Sequence, residues 1–136
     1  MSSDKTIKLE IPTSARFVSV ARKTVEAIAF GMGLRDETAD DLKLAVGEAC
    51  TNAVKYSGSN GHSVQVLYHV TPDKLEIEVK NNGTEFRPEN RRKKPCIECL
   101  PVGGLGLHVI EEVMDEVSIS SKNGETVLKM TKRLKR

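Results

Sequence analysis

The chain has 136 residues, 38% of them hydrophobic and 29% charged, a globular composition on the scale of one ordinary domain. Twenty-one Lys and Arg against 19 Asp and Glu leave a formal charge of +2, too balanced to argue for nucleic acid. An aromatic content of 4% with no Trp argues against a stacking platform for unpaired bases. No apolar run approaches the roughly 20 residues that cross a bilayer. The first eight residues hold no apolar signal core, so a cytoplasmic location and no membrane partner are expected.

Cys50, Cys96 and Cys99 are the three cysteines. An odd number without a secretion signal predicts no disulfide framework. Cys96-Ile-Glu-Cys99 is a lone C-x-x-C, and His62, His69 and His108 lack finger-like spacing. A structural zinc site needs a second pair of ligands, so two incidental loop thiols are the favoured reading over metal or redox chemistry.

In chain order, residues 6–11 alternate, with Ile7, Leu9 and Ile11 on one face, and predict a strand that Pro12 ends. Thr13 or Ser14 is placed to cap the helix that follows. Phe17, Ala21, Val25, Ile28 and Met32 form the stripe of that helix, and Gly31 and Gly33 close it. Asp36 opens a second helix with Asp40 and Asp41 in its early turns, where negative charge suits the dipole. Its buried face is predicted as Leu42, Ala45, Val46, Ala49 and Ala53, ending near Ser57 before a turn at residues 58–61. Residues 63–70 and 74–80 are two alternating strands joined through Pro72-Asp73.

Periodicity disappears between Gly83 and Gly104, a stretch with Pro88, Pro95, Pro101 and a basic cluster of Arg91, Arg92, Lys93 and Lys94. A loop of that length in a compact domain is usually functional or disordered. A helix with Leu107, Val109, Ile110, Val113 and Met114 on its apolar side follows. Two strands at 117–121 and 126–130, joined by Asn123-Gly124, complete the chain. The order β-α-α-β-β-loop-α-β-β predicts an α+β two-layer sandwich, a mostly antiparallel sheet with helices on one face.

Three places can carry chemistry. Glu48 and Asn52, one turn apart on the second helix, are expected together at the edge of its buried face, beside the core and not in it. A carboxylate there can accept a hydroxyl proton, and an amide oxygen can be one ligand of an octahedral Mg2+. Gly103, Gly104 and Gly106 stand at the junction of the long loop and a helix start, where free amides favour anions. Asn81-Asn-Gly83 ends the strand before the loop; taken alone it reads equally well as a turn.

In this order the three elements resemble the GHKL (Bergerat-type) ATP-binding fold and, more narrowly, the bacterial anti-sigma-factor serine kinases of the RsbW type. The resemblance runs from Ile11-Pro-Thr-Ser to Lys129-Met-Thr-Lys. It is most specific at Val46-Gly-Glu-Ala-Cys-Thr-Asn-Ala-Val54, Gly103-Gly-Leu-Gly-Leu107 and Met114-Asp-Glu-Val117. It implies one histidine-kinase-like ATPase domain over residues 1–136 with an ATP lid at about 86–103. By resemblance Glu48 is the general base toward a protein hydroxyl and Asn52 ligates Mg2+. ATP falls to Asn52, Asn81, Gly83, Gly103, Gly104, Leu105, Gly106, Leu107 and Thr126.

The implied function is an anti-sigma factor and serine/threonine kinase. It would phosphorylate a STAS-domain antagonist, sequester a sigma factor, and act as a homodimer. Two positions depart from the family's Asp-x-Gly-x-Gly box: Asn81 stands for the Asp and Glu85 for the second glycine. A neutral hydrogen bond to the adenine amine is weaker than a charged one by about 1 kcal/mol, which predicts ATP affinity reduced several-fold to tenfold. These departures motivate an alternative, a weakly nucleotide-binding or non-catalytic module of the same fold that acts by protein contact. A nucleic-acid reading rests on the loop cations, with Arg87, and on the basic tail 132–136. A charge run is usually a solvated segment, and the loop cations suit a lid over phosphates better.

Overall fold

Among the described residues, alternating apolar positions build one sheet, and three amphipathic helices cover one of its faces. The computed structural model describes residues 4–57, 63–81, 103–122 and 125–134. Among these, the strands are β1 (Lys5–Pro12), β2 (Ser63–Val70), β3 (Lys74–Asn81), β4 (Glu116–Lys122) and β5 (Glu125–Arg133). The helices are α1 (Val18–Gly31), entered through a 3-10 turn at Ala15–Phe17, α2 (Asp36–Ser57) and α3 (Gly103–Val113). The strands pair in the order β1-β2-β3-β5-β4, every pair antiparallel. The α+β sandwich expected from the sequence is the fold observed.

The period of two sets the core. Val64, Val66 and Tyr68 on β2, Leu75, Ile77 and Val79 on β3, and Leu128 and Met130 on β5 face inward. Each such side chain contributes about 1.5–3 kcal/mol by leaving water. They meet Ala21, Val25 and Ala29 of α1, Leu42, Ala45, Val46 and Ala49 of α2, and Leu107 and Ile110 of α3. The opposite face is polar and carries cross-strand pairs such as Lys129 with Glu76 and His69 with Glu78.

Three expectations change in detail. Ile7 shares a face with Leu9 and Ile11 but is 40% exposed, on a strand at the edge of the sheet. Phe17 is not on the buried stripe of α1. It lies in the 3-10 turn, 37% exposed, with the Arg16 guanidinium 5.7 Å from its ring centre, and Val18 takes its place in the core. Nor does Ser14 make a side-chain cap.

The close of α1 matches the glycine signal. Gly33 adopts φ 74°, Leu34 N donates to Ala29 O at 3.0 Å, and Gly33 N donates to Phe30 O at 3.1 Å. This pair of bonds satisfies the last carbonyls of the helix and requires a residue at ease with positive φ.

The basic tail is also not simply solvated. Lys132 and Arg133 are the last residues of β5. Lys132 Nζ donates to Val113 O at 2.6 Å and lies 3.8 Å from Asp41, which places a cation at the C-terminus of α3 where the helix dipole favours it. Arg133 pairs with Glu116.

Candidate functional site

Helix α2 presents two different flanks. A small cleft, partly open to solvent, lies on one of them. Ala49, Asn52 and Ala53 of α2 line it, with Val79 and Asn81 of β3, Leu107 of α3, Ile119 of β4, and Thr126 and Leu128 of β5. Strand register explains the convergence. Asn81 lies directly opposite Thr126, and Val79 opposite Leu128, so all four point to the helical side.

Four residues singled out in the sequence therefore come together: Asn52, Asn81, Leu107 and Thr126. Asn81 is 3% exposed and Asn52 9%. The Asn52 amide makes no side-chain hydrogen bond to another described residue. A buried amide in that position retains full capacity for a ligand. Among the described residues, the Thr126 hydroxyl has only a long contact, 3.4 Å, to Ser121 Oγ.

Asn52 is deeper than the edge position expected for it. The step from Glu48 to Asn52 is roughly 40° around the axis, and it crosses the boundary of the buried arc. Leu42, Ala45, Val46, Ala49, Cys50, Asn52 and Ala53 are buried, whereas Glu48 is half-buried. Packing of α3 against α2 extends the covered arc to Asn52.

Glu48 lines the other flank, a groove of about 630 Å³ with Arg22, Asp40, Lys43, Leu44, Gly47 and Thr51. Lys43 pairs with Glu26 of α1 at 3.4 Å across the two helices. Arg22 reaches over α2 at Gly47; a methyl group on Gly47 would meet Arg22 Cδ at 2.9 Å. Arg22 is a residue that sequence reasoning missed, since only the packing of α1 on α2 brings it beside Glu48. The apolar wall of the cleft was legible only as core: Val79, Ile119 and Leu128 belong to ordinary alternating strands.

The interior between the flanks holds Cys50 and Tyr68. Burial pushes the Cys50 thiol up to about 12, so it stays protonated and unreactive. Burial, followed by the neighbouring Cys50, raises Tyr68 as well, and its hydroxyl donates to Ala21 O at 2.9 Å.

Gly103 begins α3, and Gly104, Leu105 and Gly106 complete its first turn, so the glycine-rich segment is the N-terminus of a helix as expected. Gly83, Glu85 and Cys96 and Cys99, with nearly all of the lid (residues 86–102), lie outside the described residues, as does the Asn123-Gly124 turn. Among the described residues no three His, Cys, Asp or Glu side chains converge as a metal site, and no helix is long and apolar enough to cross a membrane.

The model of the histidine kinase-like ATPase domain family matches residues 11–132. The serine-protein kinase RsbW of Listeria innocua is 38% identical over 135 residues, which cover 93% of this chain and 85% of that protein. RsbW of Bacillus velezensis is 37% identical over 137 residues, 94% of this chain and 85% of the relative. Among solved structures, the RsbU and RsbW domains of a Mycobacterium tuberculosis protein superpose with a TM-score of 0.74 at 17% identity. The match covers 97% of this chain and 33% of that longer one. The SiaB–SiaC complex of Pseudomonas aeruginosa gives 0.67 at 14% identity, with 94% and 88% covered. At such identities the two structures speak for the fold.

Proposed function

The chain belongs to the histidine kinase-like ATPase domain family and, within it, to the RsbW serine-protein kinases, and on that footing we propose that it is an ATP-dependent serine/threonine kinase and anti-sigma factor that works by partner switching. The observation that carries this reading is the convergence of Asn52, Asn81, Leu107 and Thr126, from four separate elements, on one largely apolar cleft. Apolar walls take the faces of a heterocycle while a few placed polar groups fix its edge.

ATP is the substrate of this cleft. The base lies against Val79 and Leu128 with its polar edge toward Asn81 and Thr126. The phosphates lie toward the first turn of α3, where the N–H groups of a helix start have no intrahelical partner and the helix dipole favours negative charge. Asn52 fits Mg2+, because its buried amide makes no side-chain hydrogen bond to another described residue and the ion takes most of its ligands from water and phosphate. When bound, the ion supplies neutralisation of phosphate charge.

Glu48, one turn away on the groove flank, accepts the proton of a substrate serine as its oxygen attacks the γ-phosphorus. The bond to the β–γ bridging oxygen breaks and ADP departs. The serine belongs to a STAS-domain antagonist that docks along the groove. A sigma factor is the alternative partner, held by a homodimer of this chain in the cytoplasm. The solved SiaB relative was in complex with SiaC, which supports a protein partner.

Incubation with labelled Mg-ATP and candidate STAS proteins tests the assignment. Wild type is expected to label one of them, and Glu48→Ala to reduce the rate by about 100-fold or more. Equal labelling by the variant, or labelling of no antagonist, removes the kinase assignment. The buried Asn81 amide favours a second reading, a weakly binding or non-catalytic module acting by contact alone. Micromolar binding of ATP or ADP in calorimetry excludes its inert form.

A further inference from the structure

Strand β1 closes one side of the sheet, and among the described residues no strand pairs with its outer edge. We propose that a second copy of this chain adds its own β1 there, antiparallel about a two-fold axis, with Leu9 at the centre. The proposal rests on the reading of the chain as a homodimer and names the surface that joins it.

An open edge presents main-chain donors and acceptors that an added strand can satisfy. β1 runs for 8 residues, Lys5–Pro12, long enough for a ladder. Its helix-side positions are Ile7, Leu9 and Ile11, all apolar. Ile11 is 3% exposed, Leu9 is half-buried and Ile7 is 40% exposed, so apolar surface stands open along this edge. The other edge strand, β4, offers less. Its helix-side positions are Val117, Ile119 and Ser121, and Ile119 already lines the cleft.

Charge selects the register. Directly opposed residues of an antiparallel pair share a face, so a shift by one residue would set Ile7 and Leu9 against the polar side. The registers that keep the faces matched set one residue opposite its own copy. Centring on Lys8 opposes two ammonium groups, and centring on Glu10 opposes two carboxylates; both are unfavourable. Centring on Ile7 sets Lys5 opposite Leu9 and shortens the ladder. Centring on Leu9 sets Ile7 opposite Ile11 of the second copy and Lys8 opposite its Glu10, each twice by symmetry. Lys8 is exposed and makes no ion pair with another described residue. Glu10 is exposed and accepts from Ser63 Oγ, and a carboxylate has further lone pairs for a cation. A lysine on an edge strand ordinarily deters pairing. Here it excludes the wrong registers and favours one.

Sedimentation equilibrium of the full chain and three variants tests the arrangement. Lys8→Glu and Glu10→Lys each set like charges opposite one another twice. Each is expected to weaken the dimer by about tenfold or more. The double variant, Lys8→Glu with Glu10→Lys, restores opposite charges and is expected to return to within about threefold of wild type. Rescue by the double variant separates pairing from any loss of folding in the singles. A dimer that neither single variant weakens, or a double variant no better than the singles, overturns the proposal and assigns the dimer to another surface, β4 included. A wild type that stays monomeric at every concentration overturns the homodimer reading itself, an outcome distinct from a dimer indifferent to these charges.

Discussion

The two flanks of α2 hold their functional residues in different ways. On the cleft flank Asn52, Asn81 and Thr126 stand among Ala49, Val79 and Leu107, which are nearly inaccessible. Moving any of them means moving the core, and close-packed interiors resist that. On the groove flank Arg22, Asp40, Lys43 and Glu48 are long or exposed side chains along two helices, free to adopt other rotamers at little cost. The rigid flank suits a small ligand with one shape. The pliable flank suits a protein surface that supplies the missing half of each contact. On the proposed reading, one helix separates nucleotide recognition from partner recognition by a single turn.

A crossed pair of substitutions is the strongest way to break that separation. Glu48→Gln is expected to slow phosphoryl transfer by about 10²–10⁴-fold while the ATP dissociation constant moves by less than about threefold. Asn52→Ala is expected to weaken Mg-ATP binding by about tenfold and to leave binding measured in EDTA nearly unchanged. Equal losses of affinity in both variants would show that the flanks form one binding site.

A smaller effect concerns the interior between them. The Cys50 thiol keeps its proton to about 12 in the folded chain, whereas an unfolded thiol loses it near about 8.5. Above that value the unfolded state binds fewer protons, so stability falls as pH rises, by up to about 1.4 kcal/mol per pH unit. Below it the contribution is fully present. Urea unfolding between about pH 8 and pH 9, below the range in which an unfolded Tyr68 begins to lose its proton, should show stability falling with pH, and Cys50→Ala should flatten that fall.

The smallest expected change comes from Gly47→Ala. The added methyl displaces the flexible stem of Arg22, while alanine favours a helix interior over glycine by about 1 kcal/mol. Thermal denaturation should show a net stability change within about 1 kcal/mol. The KM for the protein substrate should shift, and ATP affinity should not. A change in ATP affinity would mean that the groove reaches into the cleft.

The elements of this fold are legible because their signals are local. Strand β2 and helix α2 begin and end where alternation, the acidic first turn and the following turn residues place them. Gly33 was readable as a helix terminator because few residues accept its φ. Legibility failed where a neighbour decided the outcome. Phe17 fits the apolar stripe by spacing, yet the chain enters α1 through a 3-10 turn that carries it aside. Lys132 reads as part of a charged tail, yet it lies within reach of the last turn of α3.

The site divides in the same way. Glu48, Asn52 and the glycines were found by residue type, order and resemblance. The depth of Asn52 and the presence of Arg22 beside Glu48 depend on which helix packs on which side. The sequence by itself determined an α+β fold with near-neutral charge, the faces of its strands and helices, and the kinds of polar groups available to a ligand, because periodicity and residue chemistry are properties of the chain. Only the tertiary structure decided that Asn52, Asn81, Leu107 and Thr126 share a cleft while Glu48 faces a groove. Strand register and helix packing act between segments far apart in the chain, and a step of roughly 40° along one helix is enough to move a side chain from the covered arc to the open one.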